Sequence, residues 1–226
     1  MKYNINLDIS LKENPYPGSY IALEGIDGSG KTTQVELLAK YFRSLGKEVV
    51  TTREPRKEGL IGDLVQKVLL GKEKLPSVSL QYLFSADRSA HHEELVEPSL
   101  KEGKIVISDR CFWSAIVYGI LDRTGGKYDT NVSDLLLISQ SILSMYHQFI
   151  IPDHTFYLRI SLETAIKRLS GKKETVEIYE EKSKLEKLIT GYDFLEKKFS
   201  DNIITLSGEG DTGMVTKRIL ERIKDK

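Results

Sequence analysis

The sequence predicts an α/β fold, a five-stranded parallel sheet with helices on both faces, from three observations. Short apolar runs alternate with helical stretches along most of the chain. Several of these runs are continuous rather than alternating, as befits strands covered on both faces. A glycine-rich turn joins the first run to the first helix, and such sheets bind ligands at the carboxyl ends of their strands.

The elements follow in order. Asn14-Pro15-Tyr16-Pro17-Gly18 is a turn-rich break. It sets residues 1–19 apart as an N-terminal extension, with 1–13 an added strand or arm packed against a domain over 20–226. Tyr20–Glu24 reads as a short buried strand, and Val35, Leu38, Ala39 and Phe42 then give a helix its apolar stripe, with Gly46 at its end. Glu48–Thr52 is the second strand and runs into Arg53-Glu54-Pro55. A helical stretch from about Ser79 to Glu97 leads to the third, Lys104–Ser108, which ends on Asp109-Arg110. Leu135, Ile138, Ser139 and Ile142 share one helix face ahead of the fourth, Thr155–Ile160. The fifth, Asn202–Leu206, precedes a C-terminal helix. The Lys/Glu-rich stretch 171–187 reads as a solvated helix face.

Composition narrows the function classes. At 226 residues the chain has room for one domain, or one domain with a lid. Its 33 basic and 33 acidic residues balance, which argues against a protein that coats nucleic acid or an anionic membrane. A single cysteine, Cys111, excludes an internal disulfide framework and a Cys-rich zinc site. The N-terminal residues resemble no secretory or transit peptide, and no apolar run reaches the ~20 residues that span a bilayer. The expectation is a cytoplasmic protein without membrane or nucleic-acid partners.

Gly25-Ile26-Asp27-Gly28-Ser29-Gly30-Lys31-Thr32 fits G-x-x-x-x-G-K-[ST], between a strand and a helix as the motif requires. Glycines let backbone N–H groups wrap phosphates, Lys31 brings a point charge, and the Thr32 hydroxyl suits Mg²⁺. A bound nucleoside triphosphate is implied, and GTPases, motor ATPases and kinases remain open. A kinase whose acceptor is anionic needs further cations at the same rim. Arg53 and Arg110 follow the second and third strands, and Asp109 is placed to reach the Mg²⁺ shell. Phe84 and Arg88, four apart on one helix, could pair a stacking ring with a hydrogen-bonding guanidinium. The four histidines show no metal spacing and read as surface or supporting residues.

Gly25–Thr33, Thr52-Arg53-Glu54-Pro55, Leu83-Phe84-Ser85-Ala86-Asp87-Arg88 and Asp109-Arg110, in this order and spacing, resemble the thymidylate kinases. The resemblance runs from about Tyr20 to the C-terminus. It implies a P-loop nucleotide kinase architecture with a short lid near 170–181, and transfer of the ATP γ-phosphoryl group to dTMP with Mg²⁺. On the ATP side it implies Gly25, Asp27, Gly28, Ser29, Gly30, Lys31, Thr32, Thr33 and Arg168, the last near adenine. On the acceptor side Arg53 and Arg110 would grip the phosphate, and Asp27 would orient Arg110 or the sugar 3′-hydroxyl. Phe84 would stack on thymine, Arg88 would bond a ring oxygen, and Tyr118 would sit against the deoxyribose, with Ser114 and Tyr179 also at the substrate. Lys31, Arg53, Arg110 and Asp27 would be catalytic, and Thr32 and Asp109 would serve the metal. A homodimer through the apolar helices around 80–97 and 131–148 is a further implication.

The chain departs from the family pattern at identifiable places. Arg56-Lys57-Glu58 follow Pro55 where small glycines are usual, and Cys111 stands in place of an aromatic residue. Neither the P-loop nor Glu177-Ile178-Tyr179-Glu180 in the lid carries an arginine, so Arg168, Lys172 and Lys173 are the candidate cations for the transferring phosphoryl group. Two alternatives stand beside the leading reading: a kinase of another nucleotide or deoxynucleoside, and a non-catalytic nucleotide-binding regulator.

Overall fold

The computed structural model describes residues 10–126, 132–171 and 181–224. Strands β1 (Ser19–Glu24), β2 (Val49–Arg53), β3 (Ile105–Asp109), β4 (His154–Arg159) and β5 (Ile204–Ser207) form one sheet in the order β2-β3-β1-β4-β5, with every pair parallel. The described helices are α1 (Lys31–Ser44), α2 (Leu60–Leu69), α3 (Ser77–His91), α4 (Glu97–Lys101), α5 (Trp113–Thr124), α6 (Val132–Tyr146), α7 (Leu162–Ser170), α8 (Lys182–Lys198) and α9 (Thr212–Lys224). β2, β3 and β5 end one residue beyond the apolar runs that predicted them, and β4 ends one residue short. β5 also starts two residues late. Asn202 and Ile203 both donate their N–H groups to the carbonyl of Phe199, so they close the end of α8 instead of joining the ladder.

β1 shows why both faces of the sheet are covered. Alternate residues of a strand point to opposite faces. Ile21 and Leu23 pack with Leu38, Phe156 and Ile219 on the side of α1 and α9, and Ala22 packs with Trp113 and Ile116 on the side of α5 and α8. Each such side chain, fully buried, contributes about 1.5–3 kcal/mol. α1 ends in a pair of bonds around Gly46: the Lys47 N–H reaches the Phe42 carbonyl and the Gly46 N–H reaches that of Arg43.

The helix expected over Ser79–Glu97 runs from Ser77 to Lys101, with a wider π turn at His92–Val96 between α3 and α4. Pro98 has no amide proton for the Glu94 carbonyl, and the widened turn stands where the ordinary ladder cannot continue. Leu80 and Val96 on this run, and Ile142 and Leu143 on α6, are buried within the chain. These four residues of the stretches expected to support a dimer are therefore core. Among the described residues, α2 and the start of α3 carry exposed apolar side chains at Leu60, Leu64, Val78 and Tyr82, the last of these inside the 80–97 stretch.

Of the N-terminal extension, residues 1–9 lie outside the described residues. Leu11 packs against the core, and Lys12 forms a parallel bridge with Ile150. The Asn14 side-chain amide donates to the Gly18 carbonyl and to Asp153, each at 2.9 Å, and Asp153 also accepts the Tyr20 N–H at 2.7 Å. Most of the expected lid, including Lys172, Lys173 and Tyr179, lies outside the described residues. The stretch expected as a solvated face enters α8, which buries Leu185 and Leu188 on its inner side.

Gly18 sits where the chain turns into β1. A Cβ there would lie 2.4 Å from the Lys104 carbonyl oxygen and 2.8 Å from the Leu100 backbone. Gly18→Ala should cost about 2–3 kcal/mol through backbone displacement, roughly 5–10 °C in Tm by thermal melting.

Candidate active site

Parallel register aligns the ends of three strands. Asp109 pairs with Leu23 on one side and with Arg53 on the other. The phosphate loop leaves β1 directly after Glu24, so Arg53, Asp109, Arg110 and the loop share one rim. The rim opens into a cavity of about 580 Å³, well within the range of small-molecule sites. Of the residues expected at the site, Gly25 and Ser29 are buried within the loop and do not line the cavity, and Tyr179 lies outside the described residues; all the others line it.

Residues 25–30 form a loop that delivers the N-terminus of α1 to the cavity. Gly28 has φ +83°, and a Cβ there would lie 3.0 Å from the Ala165 carbonyl, so the loop can lie against α7 only with glycine at this position. Lys31 Nζ donates to the Ile26 carbonyl at 2.9 Å and stands 3.7 Å from Asp27. Burial, with Arg110 nearby, lowers the Lys31 ammonium to about 8. The Thr32 hydroxyl donates to Asp109 Oδ2 at 2.5 Å. Arg168 donates to the carbonyls of Gly28 at 3.1 Å and Gly208 at 3.0 Å, so its guanidinium is stitched to the back of the loop.

Arg110 has a backbone φ of +76°, uncommon for a residue with a side chain. That turn sends its guanidinium towards the β1 side. Nη2 donates to Asp27 Oδ1 at 2.7 Å, and Nη1 to the Tyr192 hydroxyl at 2.9 Å and Ser114 Oγ at 3.3 Å. Its charge lies 5.2 Å from the centre of the Tyr118 ring. Burial alone would raise the Asp27 carboxyl, but Arg110 and Lys31 hold it below its ordinary value.

Sequence reasoning gave no role to the group that anchors this assembly. Glu24, fully buried at the end of β1, accepts from the N–H groups of Cys111 and Ser114, and from the hydroxyls of Ser114 at 2.6 Å and Tyr192 at 2.9 Å. A carboxylate closing an apolar run just before the loop was the available signal for Glu24. Tyr192, 82 residues from Arg110 in sequence, had none. Cys111 is buried beside Glu24, and burial followed by that charge pushes its thiol well above the ordinary value, which leaves it inert.

The far wall holds Phe84, Arg88 and Tyr118. Arg88 Nε donates to Glu54 Oε2 at 2.5 Å, and its guanidinium lies 4.5 Å over the centre of the Tyr146 ring. Arg88 Nη1 is buried with no hydrogen-bond partner among the described residues. Burial would raise Glu54, but Arg88 and the His91 hydrogen bond outweigh it and hold the carboxyl at about 2. Glu54 was quoted in the sequence motif but assigned no role there.

Arg56, one of the departures from the family pattern, ties the loop after β2 to α3. Its N–H and Nε both donate to Asp87 at 2.9 Å, and Nη1 reaches Glu94 at 2.7 Å. Lys57 then lines the cavity. His147 is exposed, whereas His91, His92 and His154 are buried, so of the two expected roles, surface or supporting, only the supporting one is open to those three. Burial lowers His92 to about 4, so it is neutral, and it stacks on Phe149 with ring centres 5.0 Å apart.

Comparisons with known proteins agree with this geometry. A family model described as thymidylate kinase matches residues 23–219. A thymidylate kinase of Sulfurihydrogenibium sp. (strain YO3AOP1) is 35% identical over 211 residues, covering 92% of this chain and 98% of that protein. One from Wolbachia pipientis subsp. Culex pipiens (strain wPip) is 37% identical over 215 residues, covering 92% and 96%. A solved thymidylate kinase from Candida albicans matches with a TM-score of 0.75 over 92% of both chains, at 26% identity. With a family match spanning nearly the whole sheet and relatives alike along almost their full lengths, this chain belongs to the thymidylate kinase family.

Proposed function

We infer that the chain transfers the γ-phosphoryl group of ATP to dTMP, giving dTDP and ADP. One observation carries the reading: a phosphate loop and a base-reading pair, Phe84 and Arg88, face one cavity with Arg53 and Arg110 on its wall. Lys31 and the loop N–H groups hold the donor phosphates, while Arg53 and Arg110 hold the acceptor phosphate in line with them. The attacking oxygen is already anionic, so the residues supply alignment and positive charge rather than a strong base. Asp27 fixes the Arg110 fork at 2.7 Å. Phe84 stacks on thymine, Arg88 Nη1 donates to a base carbonyl, and Tyr118 with Ser114 borders the deoxyribose. Arg168, bonded behind the loop, serves the adenine side, which leaves the transferring phosphoryl group to Lys31 and to cations of the lid.

The residues present also fit Mg²⁺. Thr32 and Asp109 are hard oxygen donors already in contact. Among the described residues no group of three or more His, Cys, Asp or Glu could hold a metal ion, which suits a cation taking most of its ligands from phosphate and water. When bound, Mg²⁺ neutralises the phosphate oxygens. Residues 20–226 make up the kinase domain in this reading. No described helix is long and apolar enough to cross a membrane.

Leu60 and Leu64, one turn apart on α2, and Val78 and Tyr82, one turn apart on α3, give two packed helices adjoining apolar stripes facing out. A second copy of the chain is the proposed occupant of this face.

The reaction is tested by ADP release with Mg²⁺–ATP and dTMP, dUMP, UMP, dCMP, AMP, dGMP or thymidine as acceptor. Rapid release with dTMP and much slower release with UMP is expected. A flat response, or release independent of acceptor, would point to another kinase or to a regulator. Burial lowers the Lys31 ammonium to about 8 in the free site, so above that pH a bound triphosphate must restore its proton. Nucleotide affinity should fall above about pH 8, and calorimetry in buffers of different ionisation enthalpy should show proton uptake there that Lys31→Met abolishes. In the free protein the sign is opposite: stability gains as pH rises from about 8 towards the ordinary lysine value of 10.5. Sedimentation velocity should give twice the chain mass, and Tyr82→Arg should shift it to the monomer; a monomeric parent at micromolar concentration would refute the dimer.

A further inference from the structure

Arg88 can read a base edge only if its fork is aimed before the base arrives, and the residues that could aim it lie behind it. Its Nε bond to Glu54 Oε2 leaves the pair free to swing as a unit, because a terminal carboxylate torsion is broad. The other carboxylate oxygen, Oε1, is 3.1 Å from His91 Nδ1. His91, one turn beyond Arg88 on α3, is completely buried and lines no part of the cavity. On its far side Nε2 lies 2.6 Å from the Thr52 hydroxyl.

The hydrogen beside Glu54 can be assigned by elimination. An ionised carboxylate only accepts, so the hydrogen between His91 and Glu54 sits on Nδ1. The opposite ring nitrogen, Nε2, shares the second hydrogen bond with the Thr52 hydroxyl. Thr52 belongs to β2, so the series ends on the sheet. Strand, imidazole, carboxylate and guanidinium thus form one directed line, and Tyr146 fixes the tilt of the fork from below at 4.5 Å.

We propose that His91, held by Thr52, is a positioning residue that fixes the plane of the Glu54 carboxylate and so aims Arg88 Nη1, making base selectivity depend on a side chain that never touches substrate. The proposal rests on the reading of Arg88 as the base-reading residue. Thymine carries a carbonyl where cytosine carries an amino group. A fixed donor accepts the first and opposes the second, because two donors are left facing each other. A donor free to swing away tolerates both.

The test compares kcat and KM for dTMP, dCMP and ATP in the parent, His91→Leu, His91→Asn and Thr52→Val, with thermal melts of each. In His91→Leu the dTMP-over-dCMP ratio of kcat/KM should fall about 10-fold or more, with KM for dTMP rising and kcat and the KM for ATP within about 2-fold. Asparagine keeps an N–H donor near the Nδ1 position, so His91→Asn should return the ratio to within about 3-fold of the parent. Thr52→Val should lower it by about 3-fold, consistent with loss of one neutral hydrogen bond. A cooperatively melting His91→Leu with the parental ratio overturns the proposal. If that variant does not fold, Thr52→Val decides, and an unchanged ratio there overturns it as well. A parent that turns over acceptors but does not favour dTMP over dCMP overturns the reading of Arg88, a result separable from any effect of His91.

Discussion

Two guanidinium groups are kept charged while almost wholly out of water, and much of the site is arranged around that requirement. Each unpaired buried charge would cost several kcal/mol, and removing one partner of a buried pair typically costs about 3–5 kcal/mol. Arg88 is matched by Glu54, and Arg110 by Asp27 and, through Ser114 and Tyr192, by Glu24. Glu24 ends β1, and Glu54 directly follows β2. The sheet therefore delivers the compensating charge to the places where the cations are needed.

This arrangement decides how much reorganisation binding requires. A surface arginine would have to lose its hydration and its rotational freedom to grip a phosphate or a base. Here both costs are met when the chain folds, which is the condition for electrostatic preorganisation. Lys31 differs. Among the described residues it has only a backbone carbonyl and the longer Asp27 contact, and its lowered ammonium value fits a charge short of partners until an anion arrives. The rim thus combines preset forks with one cation that depends on ligand.

What could be read from the sequence follows the same division. The phosphate loop, Arg53, Asp109-Arg110 and the Phe84–Arg88 pair lie within short motifs whose spacing carries their geometry, and all line the cavity except the buried loop residues Gly25, Ile26 and Ser29. The expected strands stop one residue short at β2 and β3, at Thr52 and Ser108, because the charged residue that follows looks like the start of a loop. The ladder goes one step further, and that last paired residue is the polar one the rim uses, Arg53 or Asp109. Glu24, Glu54 and the buried histidines were visible as residues but not as partners. Their contacts join segments 34 to 168 residues apart, and no local pattern encodes them. Tyr192 is the extreme case, a polar tip on an otherwise ordinary helix. Where a partner copy would sit is equally hard to read, because an apolar stripe looks the same whether core or a partner covers it.

The widened turn at His92–Val96 holds the molecule to a fixed residue count. Upstream of it, His91 faces Glu54; downstream, the carbonyl of Leu100 accepts the Gly18 N–H and that of Ser99 accepts the Lys104 N–H, at the entries to β1 and β3. Removing one residue from the turn would restore the ordinary helical pitch and rotate everything after it by about 100° relative to what precedes it. Either the histidine would face its carboxylate or the carbonyls would face their strands, but not both. The segment therefore works as a spacer of fixed length, open to substitution but closed to deletion, and it sets the phase between the base pocket and the edge of the sheet.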